Sequence, residues 1–119
     1  MALKALGISR HERISRRADF RRVYDQGTRL RGRFMTMFVL PNGRETARLG
    51  IAATQKLGGA VYRNRAKRVV RELFRRRKPG TCLDVVVIPR REFFDAPLPA
   101  LEADYRGALE RLIRIYNDR

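Results

Sequence analysis

Cysteine is nearly absent from this chain of 119 residues, where Cys82 stands alone. An intrachain disulfide, a CxxC pair and a cysteine-rich zinc site are therefore excluded. Cys82 directly precedes the apolar run Leu83 to Ile88, which predicts a small buried residue. Histidine is as scarce, with His11 the single example. No apolar run approaches the roughly 20 residues of a membrane span. Leu3, Leu6 and Ile8 form no continuous apolar stretch, so no signal peptide is read at the start. The expectation is a soluble, cytoplasmic chain, and its length suits one core rather than two.

Negative charge is the most telling shortage. Twelve Asp and Glu face 28 Lys and Arg, a formal net charge of +16. A compact domain with that charge repels itself unless a polyanion neutralises it. Nucleic acid and an anionic membrane surface are the default partners. Arginine supplies 24 of the 28 cations, and guanidinium forks suit bidentate phosphate binding and base stacking. Codon usage in a GC-rich genome would account for the Arg-to-Lys ratio equally well, but not for the net charge. Residues 1–48 carry net +8, residues 54–78 net +9 and residues 79–119 net −1. The polyanion is therefore expected on the first two thirds, with the last third as scaffold.

Residues 1–14 lack periodicity and read as a mobile basic arm, leaving residues 15–119 as the folded domain. Ser15 is a candidate cap for a helix ending near Gln26, with Phe20, Val23 and Tyr24 as its apolar stripe and Gly27 as its stop. Thr28 to Leu40 reads as extended, and Gly32 is a point at which it could divide. Ala47 to Thr54 is a further extended run, expected to pair antiparallel with the strand before the Pro41-Asn42-Gly43 turn. After a connector at residues 57–60 the period turns helical. Tyr62, Ala66, Val69 and Leu73 define the stripe, widened by Val70 and Phe74. Leu83 to Ile88 suits a strand covered on both faces. A last helix over about 99–116 buries Leu101, Tyr105, Ala108, Leu109, Leu112 and Tyr116. The order is α-β-β-α-β-α, or α-β-β-β-α-β-α if Gly32 divides the first run. Either is an α+β sandwich.

The informative stretch is Lys56 to Phe74. Arg63, Lys67 and Arg71 fall at i, i+4 and i+8 on one helix face, beside a row of Asn64, Arg68 and Arg75. Like charges at this spacing destabilise a bare helix by a few tenths of a kcal/mol per pair. The cations begin in the first turn, where the helix dipole also disfavours them. An external anion resolves both costs. The competing reading is an ordinary solvated basic face, but Glu72 is the single acid within residues 54–78.

Arg63-Asn64-Arg65-x-Lys67-Arg68-x-x-Arg71-Glu72, preceded by Lys56-x-Gly58-x-Ala60-Val61, resembles the signature of the bacterial ribonuclease P protein subunit. Arg13-Ile14, Asp19-Phe20, Val23-Tyr24, Arg48 to Ile51 and Asp84 to Arg90 are similar to further segments of that family. The resemblance covers roughly residues 13–116. Gln55, Ala52, Ala53 and Gly59 depart from residues common in relatives. The resemblance implies a fold like the second domain of the fifth small-subunit ribosomal protein, in the order α-β-β-β-α-β-α. It also implies a left-handed βαβ crossover, where the general rule predicts a right-handed one.

The resemblance further implies an RNA subunit that hydrolyses the phosphodiester with bound Mg²⁺, and a protein that binds that RNA and the 5′ leader of precursor tRNA. No obligate protein partner and no membrane are expected. The residues agree with this division of labour. His11 lies in the arm, seven of the twelve acids lie in residues 79–119, and no spacing typical of a metal site or acid–base pair occurs. No catalytic or metal-holding side chain is expected on the protein. Two surfaces follow by resemblance. Lys56, Arg63, Asn64, Arg65, Lys67, Arg68 and Arg71 meet the catalytic RNA. Arg17, Phe20, Tyr24, Phe38 and Arg90 line a cleft for the single-stranded leader, where aromatics stack on bases and cations follow the backbone. The alternative for the three aromatics is a place in the core. The alternative for the whole chain is a ribosomal or ribosome-associated RNA-binding protein of similar fold.

Overall fold

The computed structural model describes residues 8–80 and 82–117. The first seven residues of the expected arm lie outside the described residues. The elements run α1 (Arg17–Gln26), β1 (Thr28–Arg31), β2 (Met35–Pro41), β3 (Arg48–Ile51), α2 (Ala60–Arg76), β4 (Leu83–Pro89) and α3 (Leu98–Asn117). This is a small α+β domain in the longer of the two orders read from the sequence. No helix among the described residues is long and apolar enough to cross a membrane.

Gly32 does divide the first extended run. Its N–H donates to the Met35 carbonyl at 2.8 Å, closing the chain into a turn. Asp104 on α3 accepts the N–H groups of Arg33 and Phe34, both at 3.0 Å. A carboxylate on two backbone donors is a strong lock for so short a loop. The strands then form one mixed sheet in the order β1-β2-β4-β3. β1 and β2, and β2 and β4, pair antiparallel, whereas β3 and β4 pair parallel.

The antiparallel partnership expected between β2 and β3 does not form, because β4 lies between them. Val85, Val86 and Val87 have no exposed surface, and such a strand is stable only in the middle of a sheet with both faces covered. β3 is then an edge, joined to its parallel neighbour β4 by α2 as the crossover, and its far side is partly closed by residues 13 and 14. Arg13 bridges Leu49, and the Ile14 N–H donates to the Leu49 carbonyl at 2.9 Å. That contact also explains why α1 starts later than a Ser15 cap implies. Ile14 is buried and its backbone is committed to β3, so the helix begins after Arg16 without a side-chain cap. Residues 8–14 thus pack against the body, with Ile8 and Ile14 each 6% exposed.

Strand alternation sends two sets of side chains to opposite faces. Met35, Met37, Val39, Leu49, Val85 and Val87 face the main core, closed by Ala66, Val70, Leu73 and Phe74 of α2 and by Leu101, Tyr105, Ala108, Leu109 and Leu112 of α3. Burial raises the Tyr105 hydroxyl above its ordinary range, and it donates to the Arg77 carbonyl at 3.0 Å. On the other face Phe38, Leu40, Val86 and Ile88 meet Ile14, Phe20 and Val23. Two sequence expectations fail at element ends. Tyr62 is 52% exposed, because the buried stripe of α2 begins one turn later at Ala66. Cys82 is exposed, because burial starts at Leu83, where β4 enters the sheet.

A buried ion cluster fastens α1 to this second face. Asp84 has no exposed surface. It accepts two bonds from Arg48 (Nε to Oδ1 at 2.9 Å, Nη2 to Oδ2 at 2.7 Å) across the β3–β4 pair. Arg22 of α1 and Asn42 complete its shell, both at 2.9 Å. Arg48 also lies 3.5 Å from Asp19. Burial alone would raise the Asp84 carboxyl, but the hydrogen bonds from Arg48 and Asn42 and the two guanidinium charges outweigh it and hold the group below its ordinary value.

Candidate nucleic-acid interface

α2 carries its cations around a fan, since the apolar stripe occupies the remaining face. Arg68, Asn64 and Arg65 are exposed, while Arg63, Lys67 and Arg71 are half-buried along one flank. Gly59 caps the helix without a side chain, and no acid stands in the first turn. The N-terminal N–H groups therefore add their positive end to the fan. Gly58 makes this sharp entry possible at φ +123°, a backbone region that glycine adopts readily.

Among the described residues, the ion pairs on α2 all gather at its C-terminal end. Glu72 holds Arg75 and lies 3.8 Å from Arg76, and Glu102 lies 3.8 Å from Arg76. Among the described residues no carboxylate pairs with Lys56, Arg63, Arg65, Lys67, Arg68 or Arg71. Asn64 makes no hydrogen bond through its side chain within the described chain. The Arg63 Nε is buried with no partner. Lys67 and Arg71 converge with Arg13 on a cavity of about 290 Å³ floored by Ile14, Leu49 and Phe20. Burial, then the neighbouring Arg13 charge, lowers the Arg71 guanidinium from its ordinary value. Such crowding is unfavourable in the free protein and is relieved by an anion.

The aromatic set lies on the second sheet face. Phe20 and Tyr24 are 6.4 Å apart between ring centroids, and Tyr24 meets Phe38 edge-on at 5.1 Å. Phe20 rests on Gly50, where an added Cβ would lie 2.8 Å from its ring. Tyr24 is 37% exposed, and burial raises its hydroxyl. Phe38 and Phe20 are half-buried, so each aromatic both packs and offers surface. Arg17 is exposed at the start of α1.

Register places two further cations on this face that the sequence reading missed. Arg29 lies opposite Phe38, and Arg31 opposite Thr36. Both are exposed, while Thr28 and Leu30 turn toward α3. Alternation within TRLR was the available signal, once the run was known to break at Gly32. Arg90 also lies beyond Ile88 on this side, but it is engaged internally. It donates to the Gly32 carbonyl at 2.9 Å and lies 3.2 Å from Glu92. Lys56 is exposed in a short turn and lines a hollow with Ile88 and Arg90. It therefore stands at the open end of the aromatic face rather than on the outer fan of α2. Among the described residues no three His, Cys, Asp or Glu side chains are placed to hold a metal.

Two basic surfaces thus share one small scaffold, and comparisons with known proteins find the same scaffold. The sequence model of the family described as Ribonuclease P matches residues 8–113. The ribonuclease P protein component of Thermotoga petrophila is 39% identical over 111 residues, covering 91% of this chain and 92% of that protein. That of Staphylococcus haemolyticus is 35% identical over 104 residues, covering 87% and 88%. Among solved structures, the RNase P protein from Thermotoga maritima superposes with a TM-score of 0.76 at 35% identity, covering 84% of this chain and 96% of that one. The Staphylococcus aureus RNase P protein gives 0.73 at 33%, covering 88% and 94%. The match spans α1, the sheet, the unpaired fan of α2 and most of α3, and so the chain belongs to the ribonuclease P protein family.

Proposed function

We propose that this chain is the RNA-binding protein subunit of ribonuclease P, binding the catalytic RNA through α2 and the 5′ leader of precursor tRNA through the aromatic face. Family membership supports a role in tRNA 5′ processing, as the protein component of an endoribonuclease in partnership with the RNase P RNA. The observation that carries the reading is the fan of α2, whose cations have no carboxylate partner among the described residues while Arg75 and Arg76 do. Unpaired guanidinium groups on a rigid helix are pre-positioned for phosphates. Asn64 adds a donor and an acceptor for phosphate or ribose. Phe20, Tyr24 and Phe38 stack on unpaired leader bases without reading their sequence, and Arg17, Arg29 and Arg31 follow the backbone beside them.

The protein's contribution in this reading is to bind and orient substrate. Mg²⁺ belongs to the RNA subunit, where it supplies the chemistry of hydrolysis. The complex works in the cytoplasm. Purified protein alone should cleave nothing. Added to its RNA at low Mg²⁺, it should raise cleavage of precursor tRNA, and Arg65→Ala with Arg68→Ala should remove most of that stimulation. Full stimulation by the double variant would reject the role of α2. The ribosomal alternative is not favoured, since the relatives and neighbours described above are ribonuclease P proteins.

A further inference from the structure

Tyr62 opens the basic helix, one turn before its buried stripe, and is half exposed. Its ring is nonetheless fixed. It meets Phe94 edge-on at 5.4 Å, and Phe94 meets Phe93 edge-on at 5.7 Å. Phe93 is 2% exposed. An aromatic ladder thus runs from the core to the surface and holds Tyr62 at its outer end. Gly58 packs close to the residue, where an added Cβ would come within 3.1 Å of Tyr62 Cδ2. Val61, 79% exposed, stands beside it.

Arg65, three residues on, is the cation on the Tyr62 side of the helix, and the first turn of the helix holds no acid. Arg65 lines a hollow with Phe94. Exposed aromatic surface is costly in water, and a Tyr held beside the unpaired Arg65 guanidinium is complementary to an unpaired base whose flanking phosphate meets that cation.

We propose that Tyr62 is a stacking platform for one unpaired nucleotide of the catalytic RNA. The site is distinct from the leader face, and the proposal rests on the reading that α2 binds this RNA. A fixed ring loses little freedom on stacking, so the contact is expected to contribute about tenfold or more in affinity.

The chain has no tryptophan, so Tyr62→Trp introduces a single fluorescent reporter. The full-length variant is titrated with the catalytic RNA alone and with precursor tRNA alone. Strong quenching by the catalytic RNA is expected. No quenching by it, or quenching by precursor tRNA only, overturns the proposal. In parallel, Tyr62→Ala and Tyr62→Leu should weaken binding of the catalytic RNA about tenfold, while Tyr62→Phe stays within about twofold. Equal affinity for all three would overturn it, as would full retention in the leucine variant, which keeps apolar bulk without a π-face. Thermal denaturation of each variant separates loss of binding from loss of fold. Arg65→Ala with Arg68→Ala is the control. If that pair weakens binding while Tyr62→Ala does not, the stacking proposal fails and the RNA-binding reading stands. If neither weakens it, the reading itself fails.

Discussion

Arginine is used in two opposite ways in this molecule. Around Asp84, Arg48 and Arg22 are tied to a carboxylate with no exposed surface. On the fan of α2, Arg65 and Arg68 are exposed with no carboxylate partner among the described residues. The first group closes its charge within the fold and holds α1 against β3 and β4. The second leaves its charge open, destabilising the free protein slightly and making it receptive to phosphate. The presence or absence of an internal partner, rather than residue type, separates scaffold from interface.

Asp84→Ala should break the first side of this comparison hardest. It leaves Arg48 buried beside only Asp19, and such a loss costs about 3–5 kcal/mol. The melting temperature should fall by roughly 10 °C or more. A fall no larger than that of an exposed surface substitution would show that the cluster is not structural. Arg22→Ala, whose partner retains Arg48, should cost much less. Acid provides an independent reading. The folded Asp84 carboxyl sits below its unfolded value of about 3.9. Its contribution is therefore complete above that value and is lost as pH falls through the lower folded one. Melting temperature against pH should show no Asp84-dependent slope between pH 5 and 8, and a slope below about pH 4 that Asp84→Asn diminishes. An Asp84-dependent slope near neutrality would contradict the assignment.

Tyr24→Ala addresses the second surface. Loss of one stacked base costs about 1–3 kcal/mol, so binding of precursor tRNA to the holoenzyme should weaken by about tenfold or more while mature tRNA is unaffected. Equal losses for the two would reject the leader face. The smallest effect is expected where charge is open. Arg65→Ala with Arg68→Ala should leave unfolding free energy within about 0.5 kcal/mol of the parent, measured by chemical denaturation. A large loss would mean that these side chains hold the fold.

The sequence was legible where one periodicity ruled a whole element. α2 and α3 follow from their 3.6-residue stripes, and β4 from an unbroken apolar run. Partnership between strands was not legible. β3 looks like the second strand of a hairpin after Pro41-Asn42-Gly43, yet it pairs with β4, because Asp84 and the valines of β4 need neighbours on both sides. Ends were equally opaque. Whether Tyr62 or Ala66 begins the buried stripe, and whether Cys82 or Leu83 enters the core, depends on where neighbouring elements stop. The candidate cations of α2 were readable from spacing. Their unpaired state among the described residues required knowing where the acids of that part of the chain go. Arg29 and Arg31 emerged from register, and the internal engagement of Arg90 from a turn distant in sequence.

The most direct test is the salt dependence of binding to the catalytic RNA, plotted as log affinity against log salt. Each phosphate contact removed lowers the slope by about one, so Arg65→Ala with Arg68→Ala should reduce it by about two relative to the parent, with the fold intact. An unchanged slope would mean that the open cations of α2 do not meet RNA phosphates, and the account would be wrong.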